Sequence, residues 1–312
     1  MHRAVDKDFA LLGLMVFTDH VAPQGSKGRR VFFDSFRKYY DEGGLATASH
    51  LIKSRHQVNS KYGVSNRDIA QFDLGVCTAL LVNTIPAIFW TLWHVVSNPS
   101  LLAELRQGIE DAVSQQANGH AEASKMTVNL PRVMEAFPLL ESLVKEVLRV
   151  QSSNASARAL LKDTLIQDGG GTTYLLKEGS SLVIPAAPVH YSEAVWGPTA
   201  HTFDPARFVK LKQEGRRVAS SAWRTFGGGN ALCPGRHFAL HEIMSILIVM
   251  VLKYDFEPLD GAWKKPGTKH HISTSILTPI EDVRVRILPR KDARNIEWNF
   301  VWESASSGKD QE

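Results

Sequence analysis

One cysteine in this chain stands where a thiolate could work. The run Phe226-Gly227-Gly228-Gly229-Asn230-Ala231-Leu232-Cys233-Pro234-Gly235-Arg236 sets Cys233 in a glycine-rich turn. The apolar stretch Phe238–Leu252 that follows reads as a helix. Glycine reaches positive φ without strain and lets a backbone approach a flat ligand closely. Pro234 suits the first helical position, where its missing N–H costs nothing. A sulfur at a helix N-terminus meets unpaired N–H groups and the positive end of the dipole. Both favour the thiolate, the form that ligates metals. The same local sequence also suits a buried packing cysteine. Zinc is a further reading, because Cys233, His237 and His241 fall at i, i+4 and i+8. That set supplies only three ligands, and successive i+4 steps drift around a helix.

A second group of chemical interest is ionic. Glu146 and Arg149 are three apart and share one face of a helix. Leu139, Leu143, Val144, Val147 and Leu148 around them imply that this face is at least partly buried. A buried Arg needs further acceptors. The aromatic, proline-rich segment Pro185–Ala219 is the expected source, and in it Phe203-Asp204-Pro205-Ala206-Arg207-Phe208 places a second Arg between aromatics.

The elements that must position these groups follow from pattern. Helices are expected over Val31–Glu42, Ala46–Ser60, Asn66–Ser97 (kinked at Pro86), Ser100–Gln116 and Leu130–Val150. A polar loop covers Ala117–Lys125. Strands are expected over Arg158–Lys162, Thr172–Lys177 and Ser181–Ile184. Pro185–Ala219 reads as a long coil, and His271–Leu288 as two strands separated by Thr278-Pro279. These elements make a mainly α fold with a small β component.

Composition bounds the rest. The chain has 312 residues, 44% hydrophobic and 22% charged, enough for one sizeable core. A net charge of +4 without long Lys/Arg runs does not suggest nucleic-acid binding. It suits, weakly, an acidic protein partner or peripheral contact with a membrane. Two cysteines, Cys77 and Cys233, make no disulfide framework and point to a reducing compartment. No signal peptide is visible, and Phe9–Phe17 is too short to span a bilayer. Leu74–Trp93 carries no charge and is long enough to span one. Asn83 and Pro86 near its middle favour a helix buried on all sides instead.

Glu146-x-x-Arg149, then Trp196-Gly197-Pro198, Phe203-x-Pro205-x-Arg207-Phe208 and Phe226-x-x-Gly229-x-x-x-Cys233-x-Gly235 occur in this order. Together they strongly resemble the cytochrome P450 family of heme-thiolate proteins, over about Val31 to Leu288. The resemblance implies heme b as cofactor, with Cys233 as its axial thiolate and metal ligand and Phe226, Gly229 and Gly235 framing it. It implies that Glu146, Arg149 and Arg207 form a salt-bridged triad, and that Arg158 meets a heme propionate. It also implies a small apolar substrate, NADPH-cytochrome P450 reductase as electron donor, and the cytoplasmic face of the endoplasmic reticulum. A thiolate ligand pushes electron density onto iron and favours O–O cleavage.

Three departures from the family pattern matter. Aligned on Trp90, the long helix has Val82 and Asn83 where most members carry an acid and a threonine, followed by Thr84. Asn83 and Thr84 are the candidate catalytic residues, and this stretch resembles the branch of bile-acid sterol hydroxylases and prostacyclin synthase. An Asn can hold a water or donate a hydrogen bond but cannot relay protons as a carboxyl does. Asn83 could equally serve to cap the kink. Ala231 stands where many members place a propionate-binding Arg. The chain also corresponds only to the C-terminal two-thirds of the fold. Residues 1–312 read as a single partial domain without the membrane anchor and first helices.

Three functions follow. The first is a monooxygenase hydroxylating a bulky apolar substrate (sterol, terpenoid or polyketide) in secondary metabolism. The second is an isomerase or dehydratase needing no reductase, and the third a non-catalytic fragment. Candidate substrate contacts are Ala79, Asn83, Ala87, Ser153–Ala157 and Ile276-Leu277.

Overall fold

The computed structural model describes residues 8, 11, 12, 17–115, 125–270, 274–291 and 296–302. Most of Phe9–Phe17, and residues 117–124 of the expected loop, lie outside these. The chain forms two compact units: Met1–Asn83 with His271–Thr274, and Thr84–His270 with Ser275–Glu312.

The first unit is helical: α1 (Thr18–Val21), α2 (Pro23–Asp41), a 3₁₀ turn (Gly44–Thr47), α3 (His50–Lys61) and α4 (Asn66–Val82). α2 begins well before the expected Val31, at Pro23, a residue pre-set for a helix's first turn. Ser49 and Ser65 cap α3 and α4 by accepting the Ile52 and Asp68 N–H groups. Tyr40 donates a hydrogen bond to the buried Asp73 carboxylate, which Arg55 approaches to 3.5 Å.

The second unit opens with α5 (Thr84–Val96). The expected kink at Pro86 is instead a break at Asn83 (φ −99°, ψ −37°). Pro86 cannot donate to the Val82 carbonyl, and its ring crowds it. Starting a new helix at Thr84 puts Pro86 in a first turn, where N–H groups have no helical partner anyway. Nor is the long segment buried on all sides. Thr84, Pro86, Ala87, Trp90, Thr91, His94, Val95 and Val96 are buried in α5, but only Ile69, Ala70, Asp73, Leu74 and Val82 in the longer α4.

Next come α6 (Pro99–Ser114), capped by Asn98, β1 (Lys125–Asn129), α7 (Leu130–Ala136) and α8 (Leu139–Gln151). The single helix expected over Leu130–Val150 is divided, because Pro138 drives Phe137 out of the helical region (φ −131°, ψ 75°). β2 (Ala155–Ala159) pairs antiparallel with β5 (Ser181–Pro185), and β3 (Thr164–Gln167) with β4 (Thr173–Leu176). β2 thus starts ahead of the strand expected at Arg158, and β3 had no counterpart in the sequence reading. Three short helices interrupt the supposed coil: α9 (Ala187–His190), α10 (Glu193–Trp196) and α11 (Arg207–Gln213). Then comes α12 (Arg236–Lys253), followed by β6 (Tyr254–Pro258) paired with β9 (Val285–Pro289). Thr278-Pro279, read as a separator, is itself β8 and pairs with β7 (Thr268–Lys269). β10 (Glu297–Val301) lies parallel to β1, Lys125 opposite Glu297.

The core of this unit gathers α5, α6, α8 and α12, with Trp90, Leu105, Ile109, Leu143, Met244 and Ile248 almost wholly buried. Trp90 closes one side by donating from Nε1 to the Leu277 carbonyl at 2.7 Å. The fold is mainly α with minor β content, as the motifs imply.

Candidate functional site

α8 buries its apolar stripe and, within it, two charged residues. Glu146 and Arg149 have no exposed surface, and Arg207 of α11 is 5% exposed. Arg149 clasps Glu146 through Nε and Nη2, each at 2.8 Å, the two-point geometry that makes such pairs strong. Its Nη1 donates to the carbonyls of His190 and Ala200. Arg207 Nε reaches both Glu146 oxygens at 3.0 and 3.1 Å. Its other nitrogens donate to Thr199 Oγ1 and to the Thr199 and Thr202 carbonyls. The Asp204 N–H completes the shell around Glu146 at 3.1 Å. One carboxylate thus holds two guanidiniums, and carbonyl dipoles absorb the surplus positive charge. Glu146, Arg149 and Arg207 come together as the family resemblance implied, and α8 is fastened to the chain between His190 and Arg207.

The cysteine loop sits on the same scaffold. Cys233 N–H donates to the Phe226 carbonyl at 3.0 Å, which closes the loop into a hairpin-like turn. Gly227 (φ +78°) and Gly229 (φ +61°) hold conformations that favour glycine. A Cβ on Gly227 would stand 3.4 Å from the Ala231 carbonyl, and one on Gly235 would stand 3.8 Å from Cys233 Sγ. Both are ordinary contact distances, so it is the positive φ at Gly227 and Gly229 that reserves the turn for glycine. Cys233 is half-buried. The half-buried Phe226 ring packs edge-on against Trp223, at 5.6 Å between centroids. Pro234 is not the first helical residue: α12 begins at Arg236, with Gly235 as its N-cap. Arg236 Nη1 instead bonds the Cys233 carbonyl at 3.1 Å.

Arg158 is exposed on β2. Its guanidinium donates to the Ala157 carbonyl at 2.7 Å and reaches the Gly228 carbonyl at 3.4 Å, beside the cysteine loop. The zinc reading fails: among the described residues no group of three His, Cys, Asp or Glu could hold a metal ion. The His241 ring lies instead against Trp302, centroids 6.5 Å apart.

Asn83 lies at the helix break, at the end of the first unit. Thr84 is buried at the head of α5, and its hydroxyl hydrogen-bonds Glu242 of α12. Burial pushes the Glu242 carboxyl pKa up, while the Thr84 bond pulls it back. Ala87 and Ile276, named as substrate contacts, are buried in the core of their unit.

A groove of about 1020 Å³ runs beside the loop, between α7, α8, α11 and residues 215–236. Its walls include Lys145, Lys212, Arg216, Arg217, Arg224 and Arg236 against Glu135 and Glu141, with Lys145 paired to Glu141 and Arg216 to Glu214.

Helices thus surround a glycine-framed, half-buried cysteine, and a buried Glu–Arg–Arg triad fastens their scaffold. Residues 33–285 match the family model of cytochrome P450, and the chain belongs to that family. It is 33% identical over 278 residues to the cytochrome P450 monooxygenase nodJ of Hypoxylon pulicicidum, covering 87% of this chain and 53% of that one. It is 32% identical over 262 residues to a cytochrome P450 monooxygenase of Gibberella zeae, covering 81% and 49%. To the 25-hydroxycholesterol 7-alpha-hydroxylase of Rattus norvegicus it is 28% identical over 248 residues, covering 76% and 58%. The chain spans about half the length of these relatives.

Proposed function

We propose that this chain carries the thiolate half of a heme-dependent monooxygenase, with Cys233 as the axial ligand of heme b. The observation that carries the reading is the donor set. Cys233 is a half-buried free thiol and, among the described residues, belongs to no group of three His, Cys, Asp or Glu that could hold a metal ion. That would suit a metal carried within its own cofactor and not a bare ion. Heme supplies the oxygen chemistry when bound; the protein supplies the ligand and its setting. The loop bond from Cys233 N–H to Phe226 holds the sulfur in place. Gly229, at φ +61°, would hold the turn, Gly235 carries no Cβ beside the sulfur, and Phe226 packs against Trp223 next to the loop. Arg158, exposed and close to Gly228, is placed to pair with a heme carboxylate.

The substrate class we infer is bulky and apolar, in line with the sterol in the name of one relative, the 25-hydroxycholesterol 7-alpha-hydroxylase. A sterol, terpenoid or polyketide of fungal-type secondary metabolism fits this class. The cationic groove beside the loop supports an acidic electron donor, NADPH-cytochrome P450 reductase, at the cytoplasmic face of the endoplasmic reticulum. Contact with that membrane is inferred from the family alone: Asn66–Val96 has the length and composition to enter a bilayer, but its second half, α5, is built into the core. Of the proposed catalytic residues, Asn83 would hold a water through its amide, and Thr84 would act through the hydrogen bond between its hydroxyl and Glu242. Val82 in place of an acid favours a second reading, an isomerase or dehydratase that needs no reductase.

The test is spectroscopic. Reduced protein under carbon monoxide should show the red-shifted Soret band of a thiolate-bound heme, and Cys233→Ala should abolish it. A Cys233→Ala variant that kept the band would refute the ligand assignment. Turnover without reductase or NADPH would select the isomerase.

A further inference from the structure

His190, at the end of α9, is fully buried and joins two stretches of backbone. Its Nδ1 lies 2.9 Å from the Arg149 carbonyl and its Nε2 2.8 Å from the Arg224 backbone nitrogen. A backbone N–H can only donate, so Nε2 must offer its lone pair. Nδ1 then carries the proton and donates to Arg149. The ring is therefore neutral and locked in one tautomer. Burial, the largest influence, lowers its pKa to about 4, so the arrangement persists at neutral pH.

The residues it touches form the root of the cysteine loop. The Arg224 carbonyl accepts from Asn154 Nδ2 at 3.0 Å and from the Gly227 N–H at 2.9 Å. Thr225, next in sequence, is buried, with Oγ1 3.0 Å from Ser152 Oγ and 3.3 Å from the Leu148 carbonyl. Phe226 then accepts the Cys233 N–H. The Arg224 N–H is thus tied to His190, and the Thr225 hydroxyl to the end of α8 and the residue just after it. Because Arg149 also donates to the His190 carbonyl, the ion-paired triad and the loop root share one anchoring residue.

We propose that His190 is a positioning residue that fixes the root of the cysteine loop to the end of α8 and so sets where Cys233 presents its sulfur. The proposal rests on the reading of Cys233 as the heme ligand. Two substitutions separate the roles of the ring nitrogens. Asn can replace the Nδ1 donor but leaves the Arg224 N–H without its acceptor; Gln is long enough to offer an oxygen near the Nε2 position. Tyr191→Phe is the control, since its hydroxyl donates to the Val150 carbonyl at 2.6 Å without touching the loop.

The experiment compares the wild-type chain, His190→Asn, His190→Gln and Tyr191→Phe by two readouts. Amide hydrogen exchange, measured without added heme, should show the Arg224 and Cys233 amides exchanging at least about tenfold faster in His190→Asn, with His190→Gln near wild type and Tyr191→Phe unchanged at these amides. At equal heme content, the fraction of the carbon monoxide complex with the red-shifted Soret band should fall several-fold in His190→Asn and be largely restored in His190→Gln. Equal exchange in all four proteins would overturn the proposal, as would loss of the band in His190→Asn and Tyr191→Phe alike in proportion to their loss of Tm. A wild type that lacks the band altogether refutes the ligand reading, while the exchange data still decide whether His190 holds the loop.

Discussion

Replacing Glu146 by Gln tests the ionic centre with almost no change of shape. Glu146 is fully buried and is the common partner of Arg149 and Arg207. The Gln amide would keep one acceptor oxygen, but its NH₂ would face guanidinium N–H groups, and two cations would lose their only shared anion. Removing one partner of a buried ion pair costs about 3–5 kcal/mol. The lower end applies here. Arg149 retains the His190 and Ala200 carbonyls, and Arg207 retains Thr199 and Thr202. A loss of about 3 kcal/mol corresponds to a fall in Tm of roughly 6–12 °C for a unit of this size. Tryptophan fluorescence is the assay. All seven tryptophans, Trp90 through Trp302, lie in the second unit, so the signal is free of contributions from the first. Trp196 lies under Arg149 at 5.2 Å and Trp223 donates to the Lys145 carbonyl, so both report on the triad's surroundings. A fall of less than about 2 °C would refute the claim that Glu146 neutralises the two arginines, because it leaves under about 1 kcal/mol for the exchange. The Glu146→Gln/Arg207→Gln double variant should lose less than the sum of the single losses, since it removes one of the stranded charges.

His94 and His190 both have folded pKa values lowered to about 4, in each case mainly by burial, from an ordinary value of 6.5. The unfolded chain therefore binds more protons between those values. Stability is fully present above about pH 6.5 and falls by up to about 3 kcal/mol per histidine as pH drops to about 4. Urea unfolding at about pH 7.5, 6 and 5 should show this slope, and a flat profile would contradict it. Gly227→Ala places a side chain at φ +78° and close to the Ala231 carbonyl. About 1–2 kcal/mol of strain should appear as lower heme retention on dilution, with little change in the far-UV circular dichroism. Trp90→Phe leaves the Leu277 carbonyl without its donor. Chemical unfolding should report a loss of about 1–3 kcal/mol.

What could be read from the sequence is local in origin. Glu146 and Arg149 are three residues apart on one helix, and the Cys233 turn is built from its own glycines, so spacing alone carried their geometry. Asn98-Pro99, expected only as the gap between two helices, caps and opens α6. The divisions at Asn83 and Phe137 were harder to read, because apolar periodicity runs straight across them and proline acts on the residues before it. Thr84 was singled out, but its partner Glu242 was not: the two meet only once α5 packs on α12. The His190 contacts to Arg149 and Arg224 join three segments far apart in sequence, and no spacing rule anticipates them. The zinc spacing at Cys233, His237 and His241 shows the opposite case, a regular pattern that the fold does not bring to one point.

The parallel pairing of β1 with β10 has a consequence for synthesis. Lys125–Asn129 leaves the ribosome long before Glu297–Val301, with the whole of α8, the cysteine loop and α12 made in between. Until the late strand arrives, the β1 edge offers unpaired amides and carbonyls to any other extended chain. Val128 and Asn129, buried in the finished protein, sit on that waiting edge. A nascent chain halted before Glu297 would thus carry most of its helical core together with an open strand, the combination that invites pairing between copies and recruits chaperones.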